Sequence, residues 1–414
     1  MTRSGFPPVG EQLDAIRASA LEIISEQELE KKLRRAAANG NPLVVKQGFD
    51  PTRPDLHIGH AVSLRMLELF QQLGHQVVFV VGDYTARVGD PSGRSELRPA
   101  LSEREIRANA ATYQEQLFTI LDRERTRVEF NSSWLAPLAL SDLLLLTSRY
   151  TVARMLERDD FRKRMESGSP VSVMEFLYPL LQAYDSLALK ADVELGGSDQ
   201  RFNLLIARQV QERYGQEPQI CLLMPLLRGT DGERKMSKSY DNYIGLAEAP
   251  EEQYGKAMSI SDQLLPEWLG LASGLAGNHL EKLRILAGED PYAAKRELAA
   301  RIVEQYHGAS AAREAAERFD LVHRRHQVPG DTPLVELSPG DPSLAVADGR
   351  VWLPRLLVAA GLAGSNSEGV RLIEQGAISL DGETARGTDA TVPAGGERLI
   401  RRGKRRFARV RFGD

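Results

Sequence analysis

The chain has 414 residues, 42% of them hydrophobic and 27% charged, the balance of a globular protein with room for roughly two to four domains. Cys221 is the single cysteine, which excludes an internal disulfide and a cysteine-rich metal site. No run of about 18 apolar residues exists to span a membrane, the run at Leu143–Leu146 being cut by Asp142 and Ser148, and no apolar signal core follows Met1; a reducing, cytoplasmic setting is expected. The net charge of −4 is unevenly placed: residues 351–414 carry 11 basic and 7 acidic side chains, a balance of +4, which leaves −8 on the first 350. Eight cations and no acid lie between Arg398 and Arg411, so this end of the chain suits a polyanionic partner.

In chain order, residues 10–40 carry Leu13, Ile16, Leu21, Ile24 and Leu29 at roughly helical spacing and predict amphipathic helix. Pro42–Phe49 predicts a strand ended by Gly48 and Pro51, residues 60–73 a helix stopped by Gly74, and Gln76–Val81 a buried parallel strand. Strand, loop, helix and strand make a βαβ unit, half of a nucleotide-binding sheet. Residues 102–125 and 174–190 read as helices, Asp192–Leu195 as a short strand, and Gly196-Gly197 as the turn into a helix through Arg213. Residues 250–325 are mainly helical in pattern, and 328–348 have a proline- and glycine-rich linker composition. The expected division is a parallel-sheet α/β domain over 1–232, a loop and α-helical domain over 233–327, the linker, and a small α+β module over 349–414.

Three clusters carry chemistry. His57-Ile58-Gly59-His60 sits between the first strand and its helix, where open α/β sheets bind ligands and a helix N-terminus offers free N–H groups to phosphate. Two surface histidines at a helix start are the plain alternative. Lys235-Met236-Ser237-Lys238-Ser239 follows a glycine-containing loop; two lysines there can neutralise a leaving group whose charge grows in the transition state, or they can form an ordinary solvated basic loop. Tyr178, Gln182 and Asp185 fall at i, i+4 and i+7 and share one helix face. Phenol, amide and carboxylate together can bind an amino group and a hydroxyl, whereas on an exposed helix they would be a polar stripe. The apolar neighbours Leu177, Leu180, Leu181 and Leu187 argue against full exposure.

The first two clusters, about 175 residues apart in one α/β chain, resemble the HIGH and KMSKS signatures of class I aminoacyl-tRNA synthetases. The segment Tyr178–Asp185 resembles the substrate helix of the tyrosyl members, and the likeness extends from about residue 40 to 412. The resemblance implies a Rossmann-like catalytic domain that makes an aminoacyl-adenylate from L-tyrosine and ATP, then loads tRNA. Catalytic roles fall to His57, His60, Lys235, Lys238, Arg94 and Arg98. ATP would meet Gly48, Asp50, Thr52, His57, Gly59, His60, Gly197, Asp199 and Lys238, with Asp199 on the ribose. Tyrosine would meet Thr85, Asp90, Tyr178, Gln182, Asp185, Gln200 and Asn131: Asp185 would accept from the hydroxyl, Asp90, Tyr178 and Gln182 would face the ammonium, and Gln200 the carboxyl end. Turn chemistry at Asp90-Pro91-Ser92-Gly93 and a helix cap at Ser198 are alternatives for those stretches. Mg²⁺ would travel with ATP, with no tightly bound cofactor, and a homodimer is implied.

This sequence departs from the family pattern at Lys46, where many relatives place a tyrosine that also contacts the hydroxyl, and at Gln47, where some have a smaller cysteine. These differences point to another branch, not another substrate. No long insertion between Leu73 and Tyr178 provides an editing domain. The end of the chain, with Arg371 on a helix and an Asp381-Gly382 turn, looks like the small RNA-binding fold shared with ribosomal protein S-four. Arg371, Arg401, Arg402, Lys404, Arg405 and Arg406 would contact tRNA phosphates. Two rival readings stand beside this one: the tryptophanyl relative, opposed by Tyr178, Gln182 and Asp185, and an RNA-binding protein that has lost catalysis, opposed by the intact histidine and lysine clusters.

Overall fold

The computed structural model describes residues 5–91, 102–148, 150–323, 333–403 and 406–413. It divides into two compact units, Met1–Gly308 and Ala309–Asp414. The division falls at Gly308, whose φ of 85° interrupts the helical run Pro291–His323. Among the described residues, no helix is long and apolar enough to cross a membrane.

The first unit is built on a six-stranded sheet: β1 (Glu22–Ile24), β2 (Val44–Phe49), β3 (Gln76–Val81), β4 (Thr126–Phe130), β5 (Val193–Gly197) and β6 (Ile220–Met224). Their spatial order is β1-β6-β5-β2-β3-β4, with β2 to β6 parallel and β1 antiparallel at the edge. The expected α/β architecture is therefore present. Helices cover both faces, so Val77 to Val81 are fully buried without alternation, as a two-sided parallel strand requires. After β1, the parallel strands start at β2, run outward to β3 and β4, then the chain crosses back to β5 on the other side of β2. A crevice consequently opens at the carboxyl ends of β2 and β5, the topological switch point where such sheets bind ligands.

Residues 10–40 are not one helical stretch. Helices Val9–Ser19 and Glu26–Asn39 flank β1, which pairs through Glu22, Ile23 and Ile24 with the otherwise bare edge of β6. Helical spacing alone hid this strand, because its three residues gain their hydrogen bonds from β6, far away in sequence. The helix expected over 102–125 closes earlier, at Leu117, with Ser102 and Glu105 forming its capping box. The substrate-like helix spans Val173–Leu189 and begins at the Ser172/Glu175 capping box; Glu175 is itself held by Arg164 at 2.5 Å.

The second unit contains β7 (Leu334–Leu337), β8 (Arg350–Trp352), β9 (Ile378–Leu380), β10 (Glu383–Thr384), β11 (Thr391–Pro393), β12 (Glu397–Arg402) and β13 (Arg406–Phe412). Five strands form a sheet in the order β10-β9-β12-β13-β7, and β8 pairs with β11. Helices Leu353–Ala359 and Asn366–Glu374 pack over it around Leu356, Leu357, Ile373, Ile400 and Val410. Residues 334–337, whose neighbourhood has linker composition, are a strand because β13 offers them a parallel partner from Arg409 to Phe412.

Candidate active site

The histidine cluster reaches the crevice because β2 ends in a loop that leads into the helix Ile58–Gln72. The lysine cluster arrives on the loop that follows β6, and the third cluster because the helix Val173–Leu189 lies over the same strand ends. A cleft of about 610 Å³ results, the size of a nucleotide-scale ligand site. Gly48, Asp50, Thr52, His57, Gly59, His60, Thr85, Asp90, Tyr178, Gln182, Asp185, Gly197, Asp199, Gln200, Lys235 and Lys238 all line it. Asn131 lies behind the wall, fully buried. Arg94, Arg98, Lys404 and Arg405 lie outside the described residues.

His57 caps the helix Ile58–Gln72, and its ring stacks on that of His60 with centroids 3.7 Å apart. A Cβ on Gly59 would stand 3.0 Å from the His57 ring, so glycine permits this stacking. The backbone N–H of His57 donates to Nδ1 of His60 at 3.2 Å, which puts the neutral His60 proton on Nε2. Burial, and then the charges of Lys238 and Lys235, hold the His60 pKa down at about 3; burial and the same neighbours, with His60, push His57 well below its ordinary value. Both rings are therefore neutral donors near pH 7, not cations.

Positive charge comes from the lysines. Lys235 pairs with Asp199 at 2.5 Å. Lys238 has a 10% exposed side chain with Asp55 4.0 Å away, and among the described residues its ammonium has no hydrogen-bond acceptor. Burial lowers its pKa to about 8. A buried ammonium without an acceptor is costly, and an anion entering the cleft would remove that cost. The loop carrying both lysines is fixed by Asn242, which is buried and accepts from Ser237 N at 2.8 Å while donating to Asp231 at 2.9 Å.

The opposite end of the cleft is a polar relay. Tyr178 donates to Asp50 at 3.0 Å, Thr85 donates to the other Asp50 oxygen at 2.7 Å, and Asn131 donates to Thr85 at 3.0 Å and to Asp185 at 3.3 Å. Trp134 Nε1 completes Asp185 at 2.8 Å. A Cβ at Gly82 would collide with the Asp50 carboxylate and the Thr85 hydroxyl. Burial pushes the Asp185 pKa up to about 7, opposed by Lys46 and by its hydrogen bonds from Trp134 and Asn131. Asp90 accepts from Gln200 at 2.8 Å and lies 3.7 Å from Arg158. Sequence reading gave no function to Trp134, Arg158, Gly82 or Asn242. Gly82, Trp134 and Asn242 each lie within four residues of one already singled out (Thr85, Asn131 and Lys238), but adjacency alone gave them no role.

Comparison with known proteins agrees with this geometry. Residues 38–324 match the family model for class I tRNA synthetases of tryptophan and tyrosine, and the chain belongs to that family of aminoacyl-tRNA synthetases. Within it, the chain is 49% identical to the tyrosine–tRNA ligase of Moorella thermoacetica, over 97% of this chain and 96% of that one. It is 50% identical to the tyrosine–tRNA ligase of Geobacter sulfurreducens, over 98% and 99%. Its fold also matches a C-terminally truncated Coccidioides posadasii mitochondrial tyrosyl-tRNA synthetase with a TM-score of 0.61 at 23% identity, covering 75% of this chain and 91% of that one.

The buried ammonium of Lys238 has a consequence for stability. With a pKa near 8, below the 10.5 of a free lysine, the folded chain binds fewer protons than the unfolded chain between those values. The penalty is thus complete below about pH 8 and fades as pH rises toward 10.5. Lys238→Met is expected to raise the melting temperature of the unliganded protein at pH 7, and the gain to shrink by about pH 10. A melting temperature that falls at pH 7 would contradict a net cost of burying this ammonium.

Proposed function

We propose that the chain is a tyrosine–tRNA ligase. The tyrosine carboxylate attacks the α-phosphate of ATP, the bond to pyrophosphate breaks, and tyrosyl-adenylate forms. The terminal ribose hydroxyl of tRNA(Tyr) then attacks the acyl carbon and AMP leaves. Positioning and charge stabilisation carry most of the chemistry. The neutral His57 and His60 donate to phosphate oxygens, and Lys235 and Lys238 take the growing charge of pyrophosphate, with Arg94 and Arg98 assigned the same task. Gly48, Thr52 and Gly59 let ATP approach the backbone, Asp199 takes the ribose at Gly197, and Mg²⁺ accompanies the phosphates. Asp90, Tyr178 and Gln182 face the substrate ammonium, Gln200 its carboxyl end, and Thr85 and Asn131 fix the pocket.

The observation that carries this reading is Asp185, a buried carboxylate held on both oxygens by Trp134 and Asn131 within the same cleft as the buried ammonium of Lys238. A site built to hydrogen-bond a hydroxyl rejects the analogue that lacks it, and tyrosyl-tRNA synthetase is itself the known example, at about 10⁵ against phenylalanine. Asp185→Asn is expected to cut kcat/KM for tyrosine in ATP–pyrophosphate exchange about 100-fold and to narrow the preference over phenylalanine. Exchange that keeps the wild-type ratio in this variant would displace Asp185 from the hydroxyl.

The module at 349–414 supplies tRNA contacts, the segment 233–327 the lysine loop and the anticodon-stem surface, and residues 1–232 the rest of the catalytic cleft. Arg371 and Arg406 are exposed. Arg402 is tied to Glu368 at 2.9 Å and to the Leu362 carbonyl at 2.7 Å, so its role is to hold the module's surface in shape beside Arg401. Arg401→Ala/Arg406→Ala is expected to raise KM for tRNA, to reduce the salt slope by roughly one for each arginine–phosphate pair removed, and to leave pyrophosphate exchange unchanged. Unaltered aminoacylation would remove these arginines from the interface.

The working form is a cytoplasmic homodimer. Leu140 is 71% exposed, Leu144 60%, Val152 63% and Val173 78%, a set of large apolar side chains that a second copy would cover. Leu144→Asp is expected to give monomers in analytical ultracentrifugation, and a wild-type profile would place the contact elsewhere.

A further inference from the structure

Lys46 and Glu194 lie opposite one another in the parallel pairing of β2 and β5. Their side chains are each 1% exposed and meet at 2.8 Å. A buried ion pair adds little stability compared with apolar residues of the same volume, because desolvation offsets the attraction. Its neighbours suggest a different purpose. The Glu194 carboxylate is fully engaged: Oε1 takes Lys46 and Gln182 Nε2 at 3.1 Å, while Oε2 takes Ser186 at 3.2 Å and Gln219 Nε2. Gln182 lines the cleft, and with its Nε2 held by Glu194 its buried Oε1 has no hydrogen-bond partner among the described residues. On the other side, Lys46 is the principal positive charge acting on Asp185.

We propose that the Lys46–Glu194 pair is the positioning element of the amino-acid pocket. It fixes the Gln182 amide with Oε1 as the acceptor for the substrate ammonium, and it sets a cation within electrostatic reach of Asp185 so that this carboxylate remains an acceptor for the substrate hydroxyl. The inference rests on the reading of the cleft as a tyrosine site. It assigns to a charged pair, at the position where many relatives carry a tyrosine, a role in reading both ends of the substrate without touching it. Neither residue lines the cleft, so both act through Gln182 and Asp185. The charged groups acting on Asp185 are Lys46 from β2 and Glu194 from β5; Trp134 and Asn131 add neutral donors.

The test is ATP–pyrophosphate exchange on the full chain with Lys46→Gln/Glu194→Gln, which removes both charges together and leaves neither member of the pair as an unpaired buried ion. KM for tyrosine is expected to rise at least about tenfold while KM for ATP stays within about twofold. Lys46 lowers the Asp185 pKa more than Glu194 raises it. Losing both therefore moves the acid limb of kcat/KM for tyrosine to higher pH. A folded double variant with wild-type tyrosine KM and an unmoved acid limb overturns the proposal alone. A wild-type chain without tyrosine-dependent exchange overturns the reading of the cleft as well. If the double variant does not fold, Glu194→Asp keeps the charge but shortens the reach to Gln182. It is then expected to raise the tyrosine KM selectively, and a wild-type value overturns the proposal.

Discussion

Placing charge where water cannot reach it is the constraint around which this molecule is arranged. Beneath the carboxyl edge of the sheet, Asp185, Lys46 and Glu194 are all buried, and each is tolerable only because specific donors and acceptors replace the lost water. Trp134 and Asn131 serve Asp185; Gln182, Ser186 and Gln219 serve Glu194. Those partners come from the turn after β4, the helix Val173–Leu189 and the approach to β6, so the polar network ties together the elements that the sheet alone would only stack. Lys238 is the exception, an enclosed cation with Asp55 4.0 Å away and, among the described residues, no hydrogen-bond acceptor.

This arrangement divides the cleft into two chemical halves. One half is cationic and donor-rich, with two lysines, the helix N-terminus and a pair of imidazoles kept neutral by burial and by the lysines. The other half is acceptor-rich, with Asp50, Asp90 and Asp185 each already fixed by a neighbour. Acceptors held in place before a ligand arrives lose little freedom on binding, which favours selectivity.

Much of this was legible in the sequence. The continuous apolar strand Gln76–Val81 reported a sheet covered on both faces, and i, i+4, i+7 spacing put Tyr178, Gln182 and Asp185 on one helix face, as they are. What escaped were relations between residues distant in the chain. The strand Glu22–Ile24 exists because β6 has a free edge. Lys46 stood out only as a departure from the family pattern, because its partner Glu194 is 148 positions away. Gly82 has no local signature, since what it avoids is a carboxylate and a hydroxyl brought in from Asp50 and Thr85. Histidine neutrality was equally invisible, because it depends on enclosure and on lysines from another loop.

The contact between Lys235 and Asp199 has one more effect. These two groups neutralise each other, so of the two lysines Lys235 is the one that does not stand as an open attractor for phosphate. On the proposed reading the nucleotide's ribose must take Asp199 away from Lys235, which in the same act frees the ammonium for the phosphates. At this pair, nucleotide entry becomes an exchange of partners in which an internal counter-ion is displaced. At Lys235, then, a small anion such as inorganic phosphate gains little: it can attract this lysine but offers nothing to the carboxylate the lysine leaves behind.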